Sequence, residues 1–210
     1  MKIIDPGYQI LTPISDGGFH ELRRIEQAAR VCYKSNDIPR EEPPSEFVRR
    51  LIAKGHEAMI EHSQLSVIFT VDRGITHELV RHRIASFAQE STRYCNYSLG
   101  KFGEEITVIR PYYLEEGSPE YNVWLYSCEQ AEFSYMRMLE RGCTPQEARC
   151  VLPTCLKAEL VMTANYREWR MIFKLRTADG AHPQMRQVMW PLLKELQSKL
   201  EPVFGDINNE

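Results

Sequence analysis

The chain has 210 residues, of which 43% are hydrophobic and 26% charged, and its formal net charge is −3. A chain of this size buries a core without disulfide or metal staples, and this composition excludes disorder for its body. The slight negative charge gives no basic face for nucleic acid, although a few placed arginines can still hold a small anionic ligand.

Leu22, Ile25, Ala29 and Cys32 recur at helical spacing and predict a first helix over roughly residues 19–31. Residues 35–44 are polar, carry three prolines and read as a surface loop. A second helix is expected from Ser45, as N-cap, to a stop at Gly55, with Phe47, Val48, Leu51 and Ile52 inward. Leu65, Val67, Phe69 and Val71 alternate with less apolar residues, the period of a strand. A helix over 77–88 follows, capped by Thr76, with Val80, Ile84 and Phe87 as its inward stripe.

Residues 105–110, ended by Pro111, and residues 160–164 are the other strand candidates. Between them a long helix is expected over 119–141, stopped by Gly142, with Trp124, Cys128, Ala131, Tyr135, Met138 and Leu139 on one side. Thr144-Pro145-Gln146-Glu147 reads as a capping box with proline at N1, the clearest helix start in the chain. Asn165-Tyr166-Arg167-Glu168 opens another helix, followed by Trp169, Ile172 and Phe173. The last runs over 183–200 with Met185, Met189, Leu192, Leu193, Leu196 and Leu200 inward, and Pro191 is expected to kink or break it. The sum is an α+β fold, helix-rich around a small sheet, and a single domain over 1–210 because no linker divides it.

No apolar run reaches the ~20 residues of a bilayer span, and residues 1–5 lead straight into Pro6 and Gly7, so neither a membrane segment nor a signal peptide is expected. Six cysteines form no C-x-x-C pair, which points to reduced thiols in the cytoplasm. Nucleotide-binding glycine motifs are absent. His56-Glu57 and Glu61-His62 lack metal-ligand spacing and read as polar loop residues, so no metal is expected.

The densest signal is the run from Arg81 to Tyr94. On the expected helix Arg81, His82 and Arg83 fan over more than half the circumference. Either some of them are solvated surface, or the helix is wedged between several partners. Ser91-Thr92-Arg93 offers two hydroxyls, a guanidinium and loop amides, a good phosphate clamp. It would follow the C-terminal end of that helix, where the dipole repels anions, so Arg93 must supply the charge. Arg149, Arg167 and Arg176 also resist explanation as core packing. Arg176 shares the apolar face of its helix at i+7 from Trp169, either as a structural ion pair or as a ligand-facing cation. Two rival readings use the same residues: a nucleic-acid module, marked by a steep salt slope, and an oligomerisation protein that stays colourless with added flavin.

Arg81-His82-Arg83, then seven residues, then Ser91 and on through Arg93-Tyr94 resembles the signature of the flavin-dependent thymidylate synthases. Gly55-His56-Glu57 with Glu61-His62 upstream is similar to the same family. So are Ala148-Arg149 with Val151-Leu152-Pro153, and Asn165-x-Arg167 with Leu175-Arg176-Thr177-Ala178, downstream. The four blocks stand in the right order over roughly residues 28–186.

The resemblance implies a helix-rich α/β fold with a largely antiparallel sheet, a cytoplasmic homotetramer and FAD shared between subunits. The implied reaction is reductive methylation of dUMP to dTMP. Methylenetetrahydrofolate gives the carbon, and NADPH reduces the flavin. Carried over by position, Arg81, His82, Arg83, Gln89, Asn165, Tyr166 and Arg167 become flavin contacts, with His56, Glu61 and Cys32 near the flavin ring. Glu78, Leu79, Val80, Arg81, Gln89, Glu90, Ser91, Thr92, Arg93, Arg149 and Arg176 become the dUMP site. This sequence departs from common members at Glu78, where glutamine is frequent, at Gln89, where glutamate is frequent, and at Cys32, where serine is frequent. Arg176 suits the catalytic role of drawing charge into the uracil carbonyls and N3. No base partnered to Ser91 is identifiable, so Ser91 is read as a binding residue. No cysteine is expected to be catalytic. Cys95 stands at the wrong pole of the expected helix, while Cys150 and Cys155, near Arg149, are less easily dismissed.

Overall fold

A computed structural model of the chain describes residues 1–35 and 42–208. Most of the expected loop over 35–44 lies outside these residues. The elements in order are β1 (Lys2–Ile4), β2 (Gly7–Ile10), α1 (Phe19–Val31), α2 (Pro44–Ala53), β3 (Gln64–Asp72), α3 (Arg73–Leu79), β4 (Ala85–Gln89), β5 (Thr107–Ile109), α4 (Pro119–Glu140), α5 (Pro145–Ala148), β6 (Lys157–Asn165), α6 (Tyr166–Arg176), α7 (Pro183–Lys199) and α8 (Glu201–Phe204). The sheets are small and mostly antiparallel: β2-β3-β6-β4 in that order, and a parallel pair β1-β5. The helix-rich α+β expectation holds.

Three expectations are corrected. Residues 77–88 are not one helix. Asp72, not Thr76, caps α3, accepting the Ile75 N–H at 2.8 Å, and the helix stops at Leu79. Residues 85–89 are strand β4. The proposed inward stripe is not inward, since Val80 is 37% and Ile84 70% exposed. Arg81, His82 and Arg83 therefore lie on the turn and extended segment between α3 and β4, and the fanned-helix argument falls with the helix. Second, of the kink or break expected at Pro191, the break does not occur, because α7 runs on to Lys199. At α2 the cap is Pro43 with Pro44 at the first helical position, rather than Ser45.

By contact the described chain forms two compact units. The first comprises Met1–Gly7, Phe69–Arg81 and Phe87–Val161; the second comprises Tyr8–Ile68, His82–Ser86 and Met162–Glu210. In the first, Tyr97, Ile106, Val108, Cys128, Tyr135, Ala148 and Leu156 form the buried cluster under α4. Glu90, just past β4, is held there by Tyr97 Oη at 3.0 Å, Lys157 Nζ at 2.8 Å and the Glu159 N–H at 3.2 Å.

In the second unit α7 packs against α6 and α8, and the buried rings of Trp169, Phe173 and Phe204 pack in sequence at 5.5 and 5.7 Å. Arg170 is buried with them. Burying a cation is tolerable only when its donors are met. Here Nη1 and Nη2 reach the two Asp206 oxygens at 2.5 and 2.7 Å, Nε reaches Glu57 Oε1 at 3.2 Å, and the Val203 carbonyl also accepts from Nη1. This network ties α6 to α8 and to the turn over Glu57–His62.

Candidate functional site

The first unit carries a basic pocket. Its volume is about 490 Å³, within the usual range for small-molecule sites. Arg73 and His77 line one wall from α3; Thr92, Gln146, Arg149 and Thr154 are among the others. Among the described residues no carboxylate lines it. Thr92 is buried and accepts from Arg149 Nη1 at 3.4 Å, and Arg93 reaches Gln146 Oε1 at 3.4 Å. The structure thus links Thr92 to Arg149 and Arg93 to Gln146. The clamp follows strand β4 rather than a helix, so no adverse helix dipole has to be overcome. Arg149 is the C-cap of α5, whose capping box is formed: Glu147 accepts from the Thr144 N–H and hydroxyl, both at 2.7 Å.

Ser91 stands beside this clamp. Its hydroxyl accepts the Arg93 N–H at 3.3 Å and its carbonyl the Cys95 N–H at 2.9 Å, a local turn with no imidazole or carboxylate on the hydroxyl. Gln89 Nε2 donates to Thr76 Oγ1 at 2.9 Å. Glu78 and Leu79 form the last turn of α3, with the Leu79 side chain in the core, and Val80 follows as C-cap. Glu90 is taken up by Tyr97, Lys157 and Glu159, as described above.

The second unit gathers another set. His82 is 5% exposed. Arg176 Nε donates to its Nε2 at 3.0 Å, so the ring proton sits on Nδ1, which lies 3.6 Å from Glu168 Oε1. Burial first, and then the Arg176 charge, push the imidazole down to about 4. At neutral pH the Glu168 contact is therefore not an ion pair, and burial raises the Glu168 carboxyl. The sequence places Arg176 ninety-four residues from His82; the fold joins them.

Asn165 caps α6, accepting the Glu168 N–H at 2.9 Å. Tyr166 is fully buried, and its hydroxyl has no partner among the described residues. Arg167 pairs with Glu61 at 2.7 Å, at the end of the Glu57–His62 turn that His56 opens. Cys32 is exposed, with its sulfur 4.0 Å from that of Met59. Arg81 and Arg83 are exposed and, among the described residues, pair with no carboxylate.

Sequence reasoning missed Arg73, His77, Gln146, Thr154 and Glu168. For Arg73 and His77 a signal existed. With Asp72 as cap, they stand at i and i+4 on one helical face; misplacing the cap at Thr76 hid them.

Comparison with known proteins adds the following. The family described as "Thymidylate synthase complementing protein" matches residues 19–201. A flavin-dependent thymidylate synthase of Pyrococcus abyssi is 31% identical over 194 residues, covering 87% of this chain and 78% of the relative. One from Corynebacterium aurimucosum is 29% identical over 213 residues, covering 93% and 83%. Among solved structures, a UMP/dUMP methylase PolB from Streptomyces cacaoi, bound with 5-Br dUMP, has the same fold, with a TM-score of 0.77, 22% identity and coverage of 98% and 96%.

Proposed function

Since the chain belongs to the flavin-dependent thymidylate synthase family, we propose that it converts dUMP to dTMP, with methylenetetrahydrofolate as carbon donor, FAD as cofactor and NADPH as reductant. Bound FAD, reduced by NADPH, supplies the hydride that takes the transferred carbon to a methyl group.

The donor set fits a flavin nucleotide. Arg81 and Arg83 are exposed cations without carboxylate partners among the described residues, as diphosphate binding asks. The buried Tyr166 hydroxyl awaits a partner, and neutral His82 presents no charge. Gln89, Asn165, Arg167, His56, Glu61 and Cys32 complete the cofactor contacts in this reading.

The observation that carries the reading is the Arg176–His82 hydrogen bond. Methylation at C5 of uracil needs electron density at that carbon, which a cation near the ring carbonyls and N3 stabilises as negative charge develops there. A neutral imidazole fixes the Arg176 guanidinium without neutralising it. Arg176 is then the catalytic group. Arg149, Thr92, Arg93 and Ser91 anchor the phosphate in their own unit, while Glu78, Leu79, Val80, Arg81, Gln89 and Glu90 shape the remainder of the dUMP site. The whole chain is one synthase domain in this reading.

We further read the protein as a cytoplasmic homotetramer. Val123, Tyr126 and Phe133 share a face of α4 and are each more than 60% exposed, a surface suited to self-association. All six cysteines are free, as in a reducing compartment. Neither nucleic acid nor membrane is a partner in this reading. An omission assay tests the function: dTMP, identified by mass spectrometry, should form only when dUMP, methylenetetrahydrofolate, NADPH and FAD are all present. Folded, flavin-saturated protein that makes no dTMP from the full mixture would overturn it.

A further inference from the structure

Two of the six free cysteines meet inside the first unit. Cys128 stands on α4, and Cys155 stands on the turn that leads into β6. Twenty-seven residues separate them in the chain, and the fold brings their sulfurs to 3.4 Å. Cys128 is buried in the cluster under α4, while Cys155 packs against that cluster and stays partly exposed. Among the described residues no third His, Cys, Asp or Glu joins them in a group that could hold a metal ion. The pair is therefore considered for chemistry between the two sulfurs themselves.

The two thiols are not equivalent. The hydrogen bond that Cys128 gives to Cys155, together with burial, raises the Cys128 pKa and keeps its proton in place. Cys155 accepts that bond and a second one from the Trp124 side chain, and these hold its thiol below the usual range against the effect of burial. A thiolate is the nucleophile in sulfur chemistry, so the partly exposed Cys155 reacts first. Buried cysteines usually serve as small apolar packing. Here an accessible thiol of lowered pKa stands in contact with a protonated neighbour, the arrangement of an attacking and a resolving cysteine.

The turn that carries Cys155 is tied into its surroundings. The Cys155 carbonyl accepts the Ile109 N–H at 2.9 Å, and the Pro153 carbonyl accepts the Leu156 N–H at 3.0 Å. The Thr154 and Leu156 carbonyls both accept the Arg73 N–H, at 3.1 and 3.2 Å. Pro153, Thr154 and Arg73 all line the basic pocket. A disulfide needs its sulfurs at about 2.05 Å. Closing the 3.4 Å gap draws this turn and α4 together, and the turn's hydrogen bonds pass the movement to the pocket wall.

We propose that Cys128 and Cys155 are a reversible oxidation site, where a hydroperoxide forms a disulfide that straps α4 to the wall of the basic pocket and weakens ligand binding there. The Cys155 thiolate attacks the hydroperoxide: an S–O bond forms, the O–O bond breaks, and the alkoxide (hydroxide from hydrogen peroxide) leaves and takes up a proton. Cys128 Sγ then attacks Cys155 Sγ: the S–S bond forms, the S–O bond breaks, and hydroxide leaves with the Cys128 proton as water. The two thiols lose two electrons in total, and the O–O bond gains them. A dithiol restores both thiols by exchange. In a reducing compartment such a bond is transient, which suits a sensor and not a structural staple. The effect on binding rests on the dUMP reading above; the disulfide itself does not.

The test treats FAD-loaded wild-type protein with a small molar excess of hydrogen peroxide. Remaining thiols are alkylated, and the chain is digested without reductant for mass spectrometry. The expected product joins the peptide of Cys128 to the peptide of Cys155, with the other four cysteines alkylated, and dithiothreitol removes it. In Cys128→Ala the first step has no resolving partner, so Cys155 should stop at the sulfenic acid and be trapped by dimedone. Cys155→Ala should give neither product. Titration with dUMP should show binding weaker by about fivefold or more after oxidation, the lower end of coupling between linked sites, and dithiothreitol should restore it. The same treatment should leave dUMP binding by Cys155→Ala unchanged. A cross-link between other cysteines, or oxidised Cys155 beside Cys128 that still alkylates in wild type, would overturn the proposal. So would a Cys128–Cys155 disulfide that weakens dUMP binding by less than about fivefold. The mapping uses the wild-type chain, so it decides even where a variant does not fold. Reduced protein that forms the cross-link on oxidation but never binds dUMP would uphold the oxidation site and sink the dUMP reading instead.

Discussion

Arg176 donates to His82, and a histidine that is neutral at pH 7 takes no charge from the guanidinium. Ser91 has a different situation: its hydroxyl accepts a backbone N–H, and no base stands on it. Arg176→Ala should therefore lower kcat by roughly 10²–10³, the usual effect of losing a preorganised charge-stabilising donor. Ser91→Ala should cost only several-fold, about 1 kcal/mol of binding. Steady-state kinetics at saturating dUMP separates the two, and an inactive Ser91→Ala that still binds flavin and dUMP would restore serine chemistry. Both residues are legible in the sequence, because an arginine on an apolar helical face and a hydroxyl pair before an arginine are unusual locally. Arg73 is not legible in that way. Its Nη1, shielded and without a hydrogen-bond partner among the described residues, is a product of tertiary packing. Cys95 loses its case for a reactive thiol for a different reason from the expected one. It follows no helix, and burial, with Glu90 nearby, raises its pKa.

The segment between α3 and β4 shows why its helix was misread. Val80, Ile84 and Phe87 have helical spacing, but residues 85–89 also alternate between half-buried and exposed, the period of a strand. Pairing with β6 decides between the two, and a pairing partner seventy residues away is invisible to local pattern. The starts of α5 and α6 are legible because Thr144 and Asn165 mark them within three residues of sequence. The segment carrying His82 is joined to α6 through Arg176, and this join has a pH signature. The folded-state pKa of His82 lies below its unfolded value of 6.5, at about 4. Its contribution to stability is thus fully present above pH 6.5 and is lost as pH falls toward 4, as the unfolded chain takes up the proton first. The loss amounts to roughly 3 kcal/mol. Glu168, raised by burial, works against this trend at the acidic end. Chemical denaturation at stepped pH should show the decline in wild type and a flatter profile in His82→Gln. Equal slopes for the two proteins between pH 6.5 and 4 would remove His82 from the account.

Across the whole molecule the two compact units interleave along the chain, each assembled from separated segments. The phosphate pocket belongs to one and the Arg176–His82 pair to the other. No stretch of sequence shows such a division, because each unit is defined by contacts between distant segments, such as Tyr8 with Glu195, 187 residues apart. The order of the four family blocks gives the function more directly than the shape does. The central claim is that this chain couples flavin oxidation to methylation of dUMP, and a single-turnover experiment tests it most directly. FAD-loaded protein is bleached anaerobically with NADPH, freed of excess reductant, and mixed with dUMP and methylenetetrahydrofolate while the flavin band and dTMP are followed together. The account predicts that the oxidised flavin band returns only when both substrates are present, with one dTMP formed for each flavin reoxidised. Flavin that stays reduced in their presence, or dTMP made by flavin-free protein, would contradict it.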